Sequence, residues 1–464
     1  MRHRLSGGWR AGLFSLAAAF CLYTPLRAEQ GVAIPVDQAR AAAVLAWQHG
    51  DLETAQALTT RLLAADAQDP LAHHLTALMA LAEGDLGTAQ QAARRAYGAA
   101  RSDLQRRNAA LVAANIAARQ ERGVALRYWL RQATEAATTP EDRQSGQRAL
   151  AQLRQISPWT ATLRFSASPS NNVNGGADSP FNEIDGVPGF GTLDGDLQAL
   201  SGFVAVANAD LSYRLRQSAQ SETRLTAGLY LKRVKLSDAA ERQAVTLSGS
   251  DLASNALDLG LSHAMRPAGL PGTLEVDLGF GLGEDGDSGT RTTRIGLRHS
   301  LPVSDATELS FGMGWDMEEE TIARGRTQRM PQINLSASHL RANGDRIGAS
   351  ASAYKVDSVN GQQRRSGGML RASYALGAPV GPFRLSGSLG GSLAHYEDYM
   401  VGLIQPPGGR RDQTLFGEVN LMMPEVSWAG FAPQMTVRAS RTDSNISAFD
   451  STQVGIVFGL KSLF

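Results

Sequence analysis

From Trp159 onward the chain is written in a period of two, and that period limits its fold more than any other feature. Leu274, Val276, Leu278, Phe280 and Leu282 alternate with Glu275, Asp277, Gly279 and Gly281. Leu257, Leu259 and Leu261 alternate with Asp258, Gly260 and Ser262. Leu385, Leu389 and Leu393 interleave with Arg384, Ser386, Ser388 and Ser392, and Met435, Val437 and Ala439 with Thr436, Arg438 and Ser440. Successive side chains of a strand point to opposite faces, so each segment has one apolar face and one polar face. A soluble sandwich could hide such apolar faces in a core, whereas a membrane barrel turns them to lipid around a wet lumen. Polar residues with small neighbours favour the lumen, and Asp258, Glu275, Asp277, Arg384 and Arg438 are the clearest candidates to line it.

The segment at Val454 carries the same signal. Val454, Ile456, Phe458, Leu460 and Phe464 share one face, while Gln453, Gly455, Gly459 and Lys461 take the other. A run of roughly eleven residues matches a membrane-crossing β-strand. An apolar strand finishing on an aromatic is the form expected of the strand that closes an outer-membrane barrel. Turns such as Pro271-Gly272, Asn343-Gly344-Asp345 and Asn360-Gly361 separate about fourteen such segments, and an even number returns both barrel ends to one side. Longer connections near 168–197 and 401–411 are expected on the outer side; the first could instead fold inward as a constriction.

The other end of the chain reads differently. Arg2, Arg4 and Arg10 precede an apolar run from Ala11 to Tyr23 that is too short to span a bilayer, so residues 1–28 are expected to be a secretory signal peptide. The one cysteine, Cys21, lies within it, so the mature chain is expected to have neither disulfides nor thiolate metal sites, as suits an oxidising periplasm. A net charge of +1 gives no support to nucleic-acid binding. Mean hydropathy is −0.20, but averaging erases the lipid face of a barrel.

Residues 29–157 are rich in Ala, Leu, Gln and Arg, whereas the glycines concentrate beyond them, which sets the expected boundary between a helical domain (29–157) and a barrel (158–464). Within the helical part, His49-Gly50-Asp51-Leu52-Glu53-Thr54-Ala55-Gln56 returns as Glu83-Gly84-Asp85-Leu86-Gly87-Thr88-Ala89-Gln90. Gly50 and Gly84 are separated by the period of tetratricopeptide (TPR) repeats, about 34 residues. Each retained position has a reason: Gly50 and Gly84 end a helix in the left-handed region, Asp51 and Asp85 start the next, and Ala55 and Ala89 let helices pack closely. A degenerate third copy is expected around Ala125, turning at Gln120-Glu121-Arg122-Gly123, with Tyr128 and Trp129 packed behind. Such stacked repeats usually hold a peptide or partner protein, though a spacer or plug without a ligand is an alternative.

Four stretches carry a family resemblance: Ser168-Pro169-Ser170-Asn171-Asn172-Val173-Asn174, Gly409-Arg410-Arg411-Asp412, Gly430-Phe431-Ala432-Pro433 and Arg441-Thr442-Asp443-Ser444-Asn445-Ile446. With the order of domains, they resemble the surface lipoprotein assembly modifiers (Slam), which place a periplasmic TPR domain ahead of an outer-membrane barrel of about fourteen strands. The chain departs from that pattern in its short helical domain, its degenerate repeats, and Ser462 where an aromatic is often found. The resemblance implies translocation of client surface lipoproteins, or related secreted proteins, from periplasm to cell surface of a Gram-negative cell. Its implied partners are the client, periplasmic chaperones, outer-membrane lipid and the barrel-assembly machinery, with no nucleic acid and no cofactor.

Two alternatives stay open: a TPR-barrel polysaccharide exporter, for which an anionic polymer would favour a basic lumen, and a passive porin or adhesin. Catalysis is not expected. His263, His299, His339 and His395 fall on separate strands without metal-ligand spacing, and no Walker-type Gly-Lys-Ser/Thr occurs. Glu284-Asp285-Gly286-Asp287 lacks the later bidentate Glu of an EF-hand and reads as a solvated turn, and Glu318-Glu319-Glu320 reads as a hydrated barrel rim.

Overall fold

The structure is a computed structural model that describes residues 34–286, 288–321, 327–426 and 430–462. The expected signal peptide with Cys21, Asp287 of the acidic turn, and Phe464 lie outside the described residues. The chain divides into two compact units, one ending at Ala99 and one beginning at Ala100. The change from helix to strand comes later, between residues 156 and 159.

The first unit contains α1 (Val36–Gln48), α2 (Leu52–Ala65), α3 (Pro70–Glu83) and α4 (Leu86–Ala99). Its turns follow their local chemistry. Gly50 and Gly84 adopt φ of +77° and +82°, a region in which a side chain would be strained. Asp51 then accepts from the Thr54 N–H at 3.1 Å, and Asp85 from those of Gly87 and Thr88 at 3.0 Å. At the start of α3, buried Asp69 accepts from the Leu71 and Ala72 N–H groups and from Arg40 Nε, while Pro70 occupies a position needing no N–H donor. Ala43, Ala55, Ala72 and Ala89 are wholly buried, and Leu62 and Leu75 fill the space beside α1–α3. Small side chains at these positions let helix backbones come close.

The second unit begins with α5 (Asp103–Arg119), α6 (Gly123–Glu135) and α7 (Pro140–Ile156). The turn between α5 and α6 lies where the degenerate repeat was expected, but Glu121, not a glycine, takes the left-handed conformation (φ +56°). Behind it Trp129 is buried, whereas its edge-on neighbour Tyr128 is half exposed. Arg107 on α5 holds Asp142 on α7 at 2.5 Å.

Fourteen antiparallel strands follow and close into one barrel in chain order, β1 meeting β14. They are β1 (Trp159–Ser170), β2 (Gly202–Gln217), β3 (Ser221–Leu236), β4 (Ser254–Met265), β5 (Thr273–Asp285), β6 (Ser288–Ser304) and β7 (Thr307–Glu320). The circle continues with β8 (Thr327–Leu340), β9 (Arg346–Ser358), β10 (Arg365–Ala375), β11 (Arg384–Tyr396), β12 (Arg410–Met422), β13 (Phe431–Ser444) and β14 (Ser451–Ser462). A short helix, α8 (Asp238–Gln243), interrupts the β3–β4 connection. Closure leaves no free sheet edge, as a membrane-spanning sheet requires.

The strand alternation separates the two faces. Leu259, Leu278, Ile295, Leu335, Leu389, Leu415, Val454 and Phe458 project outward and are exposed. On a closed barrel such a belt is stable only against lipid. Among the described residues no helix is long and apolar enough to cross a membrane, so the crossing element is the barrel.

Candidate functional site

The concave inner wall is where the polar residues meet. Its parity can be followed around the circle. Asp277 sits across from Gly296, Asn334 from Gly312 and Ser352, Arg371 from Ser350 and Gly390, Arg438 from Glu418 and Gly455, and Arg164 from Lys461 and Asn208. One face thus stays inward through every strand.

Three of the five lumen candidates come together. Asp258, Glu275 and Asp277 line a concavity of about 850 Å³ with Asp210, Glu222, Arg224 and Arg294. A second concavity of about 630 Å³ shares Asp277 and Arg294 and adds Arg298, Glu308 and Asp316. The other two candidates lie apart: Arg438 lines a small recess with Glu418, Phe416 and Gln453, and Arg384 sits opposite Met422 at the β10–β11 turn end.

Glycines allow these ions to pair across an intervening strand. Arg294 Nη1 on β6 reaches Asp258 Oδ1 on β4 at 2.6 Å, passing over β5. There a Cβ on Gly281 would press on Asp258 Oδ1, and one on Gly279 would meet the Arg294 stem. Likewise Arg371 on β10 reaches Glu418 on β12 at 3.5 Å over Gly390 and lies over the Phe416 ring. Arg164 holds Asp210 at 2.6 Å and Arg298 holds Glu275 at 3.6 Å. Partners two strands apart leave no mark in single-strand alternation, which is why Arg294 and Glu418 escape a sequence reading.

The β1–β14 seam is built unlike its neighbours. Its ladder runs from Arg164↔Lys461 to Ala167↔Phe458, where two cations face each other at one end. Side chains continue the work of the backbone beyond both ends. Ser462 Oγ accepts from the Leu163 N–H at 2.8 Å. Asn171 Nδ2 donates to the Thr452 carbonyl at 2.8 Å while its Oδ1 accepts from Val454 N. Ser462 therefore has a structural task at the seam. Val454, Ile456, Phe458 and Leu460 face outward along the same strand.

At the end bearing the long connections, loops knit together. The β1–β2 connection bridges to the β13–β14 connection through Ile184 and Ile446, and Asp185 joins Arg411 and Asn445. Asn445 also accepts from Arg411 N and donates to the Gly409 carbonyl. Arg410 is held by Asp412 and lies over the rings of Tyr396, Tyr399 and Phe449. Toward β3–β4, Asp196 accepts from the hydroxyl of Thr246 and the N–H groups of Val245, Thr246 and Leu247. These donors, the Thr246 hydroxyl foremost, hold its carboxyl below the ordinary range. Val173, Leu200, Leu236 and Ala240 form a small core beneath. The β1–β2 connection is thus tied to both neighbouring loops.

At the opposite end, Gly430 (φ +82°) lies against the Arg131 guanidinium of α6, and its N–H donates to Glu135. Burial pushes the Glu135 carboxyl up, against the opposing pull of Arg131 and of that N–H. Arg127 of α6 reaches the Trp159 carbonyl, and Arg214 on β2 reaches that of Ser157. The last helices are therefore bonded to the barrel's turn end.

Each of the four histidines has its own local partner: Thr223 for His263, Pro271 O for His299, Thr307 for His339 and Gly408 O for His395. Among the described residues no three His, Cys, Asp or Glu side chains converge as metal ligands.

Fold and wall together define a class: a closed antiparallel barrel with a lipid-compatible exterior and a charged, hydrated interior, the architecture of outer-membrane barrels, preceded by TPR-like helices. No protein-family model and no curated protein matches the chain. Among solved structures, a BenF-like porin from Pseudomonas fluorescens is similar to it at 10% identity, over 66% of this chain and 98% of that one, with a TM-score of 0.35. A FadL homologue from Pseudomonas aeruginosa shows 10% identity over 66% and 90%, with a TM-score of 0.37. The helices are similar to the type III secretion translocator chaperone SycD of Yersinia enterocolitica, at 20% identity over 26% and 82%, with a TM-score of 0.23. Likeness at such identities concerns architecture and says nothing of cargo.

Proposed function

We propose that this chain is an outer-membrane translocator that moves client proteins, surface lipoproteins or related secreted proteins, from the periplasm to the cell surface. The helices preceding the barrel would be periplasmic and receive the client, delivered by a chaperone. The barrel would be the passage, inserted by the barrel-assembly machinery.

The observation that carries this reading is the meeting of the Slam-like stretches. Asn171, Arg410, Arg411, Asn445 and Ile446 come from three stretches far apart in sequence, yet all engage the interlocked loops and neighbouring strand ends. The fourth stretch supplies Gly430, whose left-handed backbone (φ +82°) favours glycine and which lies against the Arg131 guanidinium of α6. The resemblance therefore rests on the joints of the barrel ends rather than on scattered surface residues.

The test is deletion of the gene, followed by labelling of intact cells for candidate surface lipoproteins. Loss of surface exposure with normal periplasmic levels is expected, restored by the intact gene. Unchanged exposure of every candidate client overturns the proposal.

A further inference from the structure

The inner wall has two sides of opposite charge. From β2 to β7 the inward carboxylates Asp210, Glu222, Asp258, Glu275, Asp277 and Asp316 outnumber the cations Arg214, Arg224, Lys232, Arg294 and Arg298. Glu308, Glu318 and Glu320 share the inward parity of β7 and enlarge the excess. On β8 the wall is uncharged, with Gln332, Asn334 and Ser336. From β9 through β14 to β1 the balance inverts: Arg346, Arg371, Arg384, Arg438, Lys461 and Arg164 face inward, opposed mainly by Glu418. Arg410 and Asp412 cancel locally. Ion pairing within either side does not erase its excess, because each pair removes one charge of each sign.

We infer that the lumen carries a transverse field and that its passenger is an extended polypeptide bearing both signs of charge. That a passenger exists rests on the translocator reading. Opposed charges on low-dielectric walls focus a field across the passage. A polyanion, such as an acidic polysaccharide, meets repulsion from β2–β7 along its whole length. A polypeptide can turn lysines and arginines to that side and carboxylates to the other, so both walls contribute to its passage and neither holds it strongly.

The field can be read with single thiols. In a Cys21→Ser background, Thr292→Cys lies across from Glu318 on the inward face of β6 and β7, and Ser440→Cys lies beside Arg438. Full-length protein in liposomes is treated with cationic trimethylammonium or anionic sulfonate methanethiosulfonate reagents. The ratio of cationic to anionic rates should be higher at position 292 than at 440 by roughly tenfold at low salt, and the gap should shrink as salt rises. A peptide of alternating Lys and Glu should slow labelling at both positions; polyglutamate or alginate should slow it much less at 292. Equal reagent preference at both positions overturns the inference, as does equal protection by polyanions. Labelling that requires prior unfolding in urea overturns it too, by removing the open lumen. Opposite preferences in a protein whose deletion leaves every client exposed would retain the field and discard the translocator.

Discussion

Leucine is treated in opposite ways by the two parts of this molecule. In the helical unit Leu75 is 2% exposed and Leu62 3%, enclosed by alanines. In the barrel Leu259 is 52% exposed and Leu389 61%. The helices satisfy their backbones internally and gain stability by excluding water between apolar stripes. The barrel satisfies its backbone between strands, turns most of its large apolar groups to lipid and lines its lumen with polar and charged side chains. The sign of a mutation's effect therefore depends on which solvent a position meets.

The largest break in that comparison should come at the lipid face. Leu278→Arg, near the middle of β5, should cost about 2–4 kcal/mol of barrel stability in bilayers, whereas the inward Ser262→Arg should cost little. Urea titration of both variants in lipid vesicles measures the difference; equal losses would show that the two faces are not distinct. A smaller effect is expected in the helical unit. Ala93 is wholly buried, and Ala93→Leu should cost about 1–3 kcal/mol by overpacking, lowering the thermal midpoint of the helical circular-dichroism signal without changing barrel assembly.

The smallest effect should be confined to the loops. Asp196 is charged while it accepts its hydrogen bonds, so its folded pKa lies below the unfolded one. Its contribution is complete above the unfolded value of about 4 and disappears as pH falls through the lowered folded value. Amide protection at Val245–Leu247 should decline in acid beyond that of neighbouring loops, and Asp196→Asn should abolish the extra pH dependence.

The barrel was legible because a period of two survives in nearly every strand, and closure follows once both faces are assigned. The first two repeats were equally legible in Gly50-Asp51 and Gly84-Asp85. What escaped the sequence depends on partners brought from elsewhere. Glu121, a residue with a side chain, adopts the left-handed conformation in the turn before α6, and Tyr128 stays at the surface where packing was expected. Asp258, Glu275 and Asp277 were visible as polar residues among leucines, but their grouping against Arg294 requires the register of β4–β6. Asn360-Gly361 marks a strand boundary, as read, but belongs to a longer connection containing a single 3₁₀ turn.

The seam adds a dimension of time. Leu163 and Ser462 meet across 299 positions of sequence, whereas the helical repeats are completed between near neighbours. The helices can form while later parts of the chain are still being delivered. The cylinder cannot close until β14 arrives beside β1, so its strands wait with unpaired edges. Such long-range closure is slow, and the incomplete sheet is exposed to aggregation until its last strand is in place.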